Sequence, residues 1–229
     1  MPMLCYEHPE PLVDPSAHVT LFAKDYRTML PLLPPVDVVL TDPPYMWYVG
    51  LCAMDARNDI ADQPIEGVWP VYAWFWAWYP LLLARVRRAL WFTTDRRYLR
   101  FYQGMTTPNL TMTVWPLTEE ARLVHIGPTP LPCPPAEVLA QYRYGSDSPV
   151  GFWAGLLAAT PGAGGLLLDP FCGTGSALEA GLAAGYRVVG IEHEPRTFRR
   201  LQRRVQRIKA RQTAREGVSS GPSGPGQET

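Results

Sequence analysis

Short apolar runs rich in β-branched residues alternate along the chain with stretches whose apolar positions recur at helical spacing. HVTLFAK (18–24) predicts a strand, YRTMLPLL (26–33) a short helix stopped by Pro34-Pro35, and VDVVLT (36–41) a second strand rich in valine. Beyond an uncharged aromatic run, VWPVYAWFWAWYPLLLA (68–84), ALWFTT (89–94) reads as a third strand and RRYLRFYQG (96–104) as a helix ending at Gly104. TMTVWPL and ARLVHIG, within 111–127, flank Thr118-Glu119-Glu120 and predict a hairpin. The proline-dense PTPLPCPP (128–135) lacks the N–H donors of a ladder and reads as a loop. SPVGFWAGLLAATPG (148–162) predicts a helix, GLLLDPF (165–171) an apolar strand, SALEAGLAAG a helix stopped at Gly185, and YRVVGIE (186–192) another strand. A last helix opens at Pro195. Repeated strand–helix units predict an α/β fold, a doubly wound, mostly parallel sheet covered on both faces.

Composition narrows this picture. A chain of 229 residues, 47% hydrophobic, can bury one sizeable core, so a single domain over 1–216 is expected. The aromatic run approaches the length of a membrane span. Pro70 and Pro80 interrupt it, however, and Arg85, Arg87 and Arg88 follow at once, so it reads as a helix laid broadly on the sheet and kinked or divided at Pro80. A formal net charge of zero excludes a wholly basic nucleic-acid-coating protein. From Pro195 onward, Arg196, Arg199, Arg200, Arg203, Arg204, Arg207, Lys209, Arg211 and Arg215 stand without an acid among them, while Phe198, Leu201, Val205 and Ile208 recur at helical spacing. That is an amphipathic helix whose cationic face is either solvated or in contact with phosphate. Residues 217–229, rich in Gly, Ser and Pro, are expected to be disordered. Cys5, Cys52, Cys133 and Cys172 lie at wide, irregular spacings and form no ligand pattern with His8, His18, His125 or His193, so no metal is expected. MPMLCYEHPEPLVDP is broken by prolines and acids before an apolar core develops, unlike a signal peptide, and a reducing, cytoplasmic setting is expected.

Two segments carry chemistry. In LLLDPFCGTGS (166–176) an apolar strand ends at Asp169, a loop with Gly173 and Gly175 admits close backbone approach, and a helix begins near Ser176. Glu192 stands at the end of the next strand, about twenty residues on, where an acid accepts hydrogen bonds from ribose hydroxyls. The loop lacks both the third glycine of a dinucleotide fingerprint and the Lys-Ser/Thr pair of a P-loop. Asp169 would repel a pyrophosphate and suits a cation such as S-adenosylmethionine, which carries a sulfonium and an ammonium.

In TDPPY (41–45) neither proline can donate a hydrogen bond back to the sheet, so the Asp42 carboxylate and the Pro43 carbonyl are presented as paired acceptors. Two acceptors side by side match an amino group with two hydrogens. Tyr45 adds a π face on which a planar base can stack, worth about 1 to 3 kcal/mol. The bland alternative is a simple Asp-Pro-Pro turn.

Together these segments resemble the amino-methylating DNA methyltransferases that modify N6 of adenine or N4 of cytosine. With TDPPY first and DPFCGTGS second, the order is similar to the permuted β-type arrangement of that family, over about residues 18 to 207. The resemblance implies a Rossmann-like S-adenosylmethionine-dependent fold, with an antiparallel hairpin element inserted by permutation. It implies a target-amine half (18–127), a proline-rich insertion (128–147) and a cofactor-binding half (148–208). Asp169, Pro170, Phe171, Gly173 and Gly175 would line the cofactor site, Glu192 would hold the ribose, and Asp25 in LFAKDY would stand near the adenine. Asp42, Pro43, Pro44 and Tyr45 would hold a base flipped out of duplex DNA.

The family often carries Lys-Pro before the cofactor strand; here the stretch reads SDSPVGF. Room for target recognition is confined to 46–67 and to the segment with Gln141, Tyr142, Arg143 and Tyr144, which leaves open a specificity partner or a cognate nuclease of a restriction-modification pair. Adenine is favoured over cytosine because Asp leads the motif. Methylation of RNA or another planar amine, and an inactive cofactor-binding subunit, are the alternatives.

Overall fold

The computed structural model describes residues 12–14, 18–43, 78–103, 108–143, 148–162 and 164–219. Its strands are β1 (Leu12–Asp14), β2 (Val19–Phe22), β3 (Val36–Thr41), β4 (Val86–Asp95), β5 (Thr111–Pro116), β6 (Ala121–Gly127), β7 (Gly165–Asp169) and β8 (Tyr186–Ile191). They form one sheet in the order β1-β2-β8-β7-β3-β4-β6-β5. The five strands from β2 to β4 in that order are mutually parallel, while β6 runs antiparallel to β4 and β5, and β1 antiparallel to β2. The helices are α1 (Tyr26–Met29), α2 (Tyr79–Leu83), α3 (Leu99–Gln103), α4 (Ala136–Leu139), α5 (Val150–Ala158), α6 (Ser176–Ala183) and α7 (Pro195–Ser219).

The near-continuous apolar strands follow from burial on both faces. Val38 and Leu40 of β3 point into one layer, with Phe152 and Leu156 of α5, Ala177 and Leu178 of α6, and Phe198, Leu201 and Val205 of α7. Val36 and Val39 point into the other, with Leu30, Tyr79, Leu82, Tyr98 and Tyr102. The β3–β4 register is irregular between Val36 and Val38, and Val36 packs in the same cluster as Val39. Each such leucine, removed fully from water, contributes about 1.5 to 3 kcal/mol. Gly181 lets α6 lie close on the sheet, since a Cβ there would meet Leu167 Cδ1 at 2.9 Å and Val188 Cγ1 at 3.0 Å.

Several boundaries differ from expectation for identifiable reasons. β4 begins at Val86 and takes in Arg87 and Arg88, which the apolar pattern had left outside. Arg88 is accommodated because its guanidinium donates to the carbonyls of Pro161, Gly162 and Gly164 and lies 3.7 Å from the Asp37 carboxylate. Pro80 does not kink a helix there; it occupies the first turn of α2, where its missing N–H leaves no bond unmade. The rest of the aromatic run, 68–77, lies outside the described residues, as does Gly104. A 3₁₀ turn, Arg96–Tyr98, precedes α3. The edge strand β1 and the short α4, directly after the proline loop, were not legible in the pattern. α7 continues through Gly217 to Ser219, past the boundary expected at Glu216. Among the described residues no helix is long and apolar enough to cross a membrane, and no group of three or more His, Cys, Asp or Glu could hold a metal ion.

Candidate active site

The parallel strands all end at one edge of the sheet, and the acids singled out in the sequence stand there. Asp25 follows β2, Glu192 follows β8, Asp169 ends β7 and Asp42 follows β3. From β7 the chain crosses through α6 to β8 on one side. From β3 the chain's next strand, β4, lies on the other. The β7–β3 junction is therefore the switch point of the sheet, where a crevice opens between diverging connections. There Val38 and Val39 pair with Leu167 and Leu168. At the strand ends the Thr41 hydroxyl donates to Asp169 Oδ1 at 2.8 Å, a buried bond between residues 128 positions apart. The two chemical motifs are thus neighbours.

The loop after β7 is held by its own backbone. Phe171 N–H donates to Asp169 Oδ1 at 3.1 Å, Cys172 N–H to the Ile191 carbonyl at 3.1 Å, and Gly175 N–H to the Cys172 carbonyl at 2.7 Å. Gly173 N–H donates to Glu192 Oε2 at 3.1 Å and Glu194 N–H to Oε1 at 2.7 Å, so Glu192 is fixed against the loop. Gly175 has φ +91°, and a Cβ there would collide with Leu201 Cδ1. Both conformation and space require glycine at that position. Phe171 meets Tyr26 and Trp78 edge-on, with ring centroids 4.8 and 5.7 Å away, and Pro170 is buried beside Asp169.

Burial, with Asp42 and Glu192 nearby, raises the Asp169 carboxyl to about 7, against the opposing pull of the Thr41 hydroxyl and the Phe171 N–H. Glu192 is also raised, chiefly by burial. Asp169 has no cationic partner among the described residues, and the base near Glu192 is the exposed His193, 3.6 Å from Oε1. These are anionic groups short of a counter-charge. The donor set fits a cationic ligand, and the raised pKa of Asp169 reflects the cost of holding its negative charge among buried groups and other acids.

Asp42 is half-buried and Pro43 is buried. Thr93, on the neighbouring β4, donates its hydroxyl to Asp42 Oδ1. Pro44 and Tyr45 lie outside the described residues. Asp25 stands at the expected strand end, but its carboxylate caps α1 and is held by Arg27, whose N–H and Nε lie 2.8 and 2.9 Å from Oδ1. The Arg27 guanidinium holds the Asp25 carboxyl below the usual carboxylate pKa. Tyr142, proposed for target recognition, is 5% exposed and rests against Phe152. Core contacts hold it, so it is no free reading surface. Residues 46–67 and Tyr144 lie outside the described residues.

Thr41 and Thr93 escaped the sequence reading as site residues. The signal available was a hydroxyl on a strand otherwise buried and apolar, which needs a partner; which partner is decided only by strand order. Arg204 is a third. Its Nε lies 2.6 Å from Glu179 Oε2, and its Nη1 reaches Thr174 Oγ1 at 3.2 Å and Ser176 Oγ at 3.1 Å, tying α7 to the glycine loop.

No family model matches the sequence, and no curated protein matches it either. Solved structures do share the fold. M1.HpyAVI in complex with SAM superposes with a TM-score of 0.52 at 13% identity, covering 82% of this chain and 98% of that one. TTHA0409 from Thermus thermophilus, complexed with S-adenosyl-L-methionine, gives a TM-score of 0.55 at 21% identity, covering 82% and 93%. The cytosine-N4-specific PvuII DNA methyltransferase gives 0.52 at 11% identity, covering 84% and 92%. The chain therefore has the mixed-sheet fold seen in S-adenosylmethionine-dependent DNA methyltransferases.

Proposed function

We propose that this chain is a DNA methyltransferase of the permuted β-type order, acting on the exocyclic amine of a base flipped from duplex DNA, with adenine N6 preferred over cytosine N4. The observation that carries the reading is the buried Thr41–Asp169 hydrogen bond at the switch point, which joins the strand leading into Asp42 and Pro43 to the start of the glycine loop. S-adenosylmethionine, when bound, supplies a methyl group on a cationic sulfur. Asp169 and the loop through Gly173 and Gly175 are the groups to receive it, with Glu192 for its ribose, Phe171 as an apolar wall and Asp25 at the adenine end. The ligand's positive charge would relieve the repulsion among Asp169, Asp42 and Glu192.

On the acceptor side, Asp42 and the Pro43 carbonyl take the two amine hydrogens, which directs the nitrogen lone pair away from the ring. The Thr93 hydroxyl occupies Asp42 Oδ1 and orients the carboxylate. Orientation of the amine and exclusion of water lower the barrier. Asp42 is also the acceptor nearest the proton that the nitrogen must lose. Pro44 stiffens the corner and Tyr45 stacks on the base, which costs a few kcal/mol to extrude. The adenine preference rests on Asp42 leading the motif.

The test is incubation of the protein with labelled S-adenosylmethionine and, separately, duplex DNA and RNA, followed by nucleoside analysis. N6-methyladenine from DNA is expected. Label as N4-methylcytosine overturns the base preference, label in RNA alone overturns the DNA reading, and label in neither favours a binding subunit. Asp42→Ala should abolish transfer while leaving cofactor affinity within several-fold of wild type.

A further inference from the structure

The cationic face of α7 is more than a solvated cover. Nine of the 21 Lys and Arg residues lie between 196 and 215 with no acid among them, although the whole chain is formally neutral. Arg196, Arg200, Arg203, Arg207 and Arg211 recur at steps of three or four and form one stripe, with Arg204 beside it. Such a stripe opposes helix formation twice. Like charges one turn apart repel, each pair costing about 0.2 to 0.5 kcal/mol. Arg196, Arg199 and Arg200 also sit in the first turns, at the positive end of the helix dipole.

Internal compensation is small. Glu179 takes Arg204 and approaches Arg211 at 3.9 Å. Arg200, Arg203 and Arg207 are exposed and make no ion pair among the described residues. They line, with Arg204, Gln206 and Thr174, a groove of about 630 Å³. Thr174 belongs to the loop that follows Asp169, so this groove begins beside the candidate active site. The apolar face of the helix, Phe198, Leu201 and Val205, is spent in the core. Among the described residues of the helix no large apolar side chain is exposed for a lipid surface, which an interfacial helix requires.

We infer that the arginine stripe of α7 seats the phosphodiester backbone of duplex DNA in the groove it forms with Thr174, anchoring the substrate beside an edge whose own side chains are acidic. This inference rests on the DNA reading above and adds to it the surface that holds the duplex. Backbone seating of this kind releases counterions and carries no sequence preference.

The test is fluorescence anisotropy of a labelled duplex oligonucleotide against wild type, the triple variant Arg200→Gln/Arg203→Gln/Arg207→Gln and the matching triple Lys variant, over a series of salt concentrations. The Gln variant should bind at least about tenfold more weakly, with a log K against log salt slope shallower by about 2 to 3, and the Lys variant should keep the slope within about 1. S-adenosylmethionine affinity should stay within about twofold throughout, reporting an intact fold. If the triple Gln variant loses that affinity, the three single Gln variants carry the test, each shallower by about 0.9. Wild-type affinity and slope in the Gln variants overturn this inference and leave the methyltransferase reading standing. So does a Lys variant that loses DNA as the Gln variant does. Wild type that neither binds nor labels DNA sinks both.

Discussion

If Asp169 faces a cation when the cofactor is bound, its unusual acidity makes cofactor binding a proton-releasing event. In the ligand-free protein its carboxyl titrates at about 7 instead of the ordinary 3.8, because it is buried beside Asp42 and Glu192. A cationic ligand selects the ionised form. Affinity for S-adenosylmethionine should therefore climb with pH, approaching tenfold per unit well below 7 and flattening above it, for a net rise of about tenfold from pH 6 to pH 8. Calorimetric titrations in buffers of different ionisation enthalpy would read both the affinity and the proton released. Thr41→Val removes the hydroxyl that favours the ionised carboxylate, and should move the midpoint up by about one unit. The same shift has a signed effect on folding. Between pH 4 and 7 the folded chain holds a proton that the unfolded chain releases, so stability falls as pH rises through that window. Above pH 7 the full cost is present, on the order of 4 kcal/mol. Asp169→Asn should accordingly stabilise the ligand-free protein against urea at pH 8 and much less at pH 5, while weakening the cofactor. A flat affinity across pH 6 to 8 with no proton release would refute the reasoning, as would an Asn variant that keeps the wild-type pH dependence.

Other perturbations read separate parts of the site. Thr93→Val, which removes the hydroxyl bonded to Asp42, should lower kcat by about tenfold or more with cofactor affinity unchanged, and Thr93→Ser should restore most of it; steady-state kinetics with the KM for DNA resolved from kcat is the check. Gly175→Ala forces a Cβ onto Leu201 at positive φ and should cost about 1 to 3 kcal/mol in urea denaturation, together with a loss of cofactor binding. Arg88→Met should lower stability by about 1 kcal/mol through the lost contacts to the carbonyls of Pro161, Gly162 and Gly164, with transfer kinetics unchanged, because it acts at the opposite end of the sheet.

Much of this protein was readable from residue order, because periodicity and turn chemistry are local. VDVVLT reads as a strand from its valines and is one; GLLLDPF stops at Asp169 where Pro170 withdraws a donor; the DPFCGTG glycines announce a loop that backbone can approach. Long polar side chains misled where their partners are distant. Arg87 and Arg88 fall outside the apolar strand pattern until the carbonyls of Pro161, Gly162 and Gly164 are brought up to Arg88. Tyr142 looks like a recognition residue until Phe152 covers it.

What only the tertiary structure decided is which residues meet. Nothing in the order of letters states that Thr41 bonds Asp169 or that Thr93 bonds Asp42, since each pair is set by strand adjacency across long stretches of intervening chain. The charge state of Asp169 is of the same kind. Acidity depends on burial and on the sum of nearby charges, and both come into being only when three strand ends are gathered at one edge.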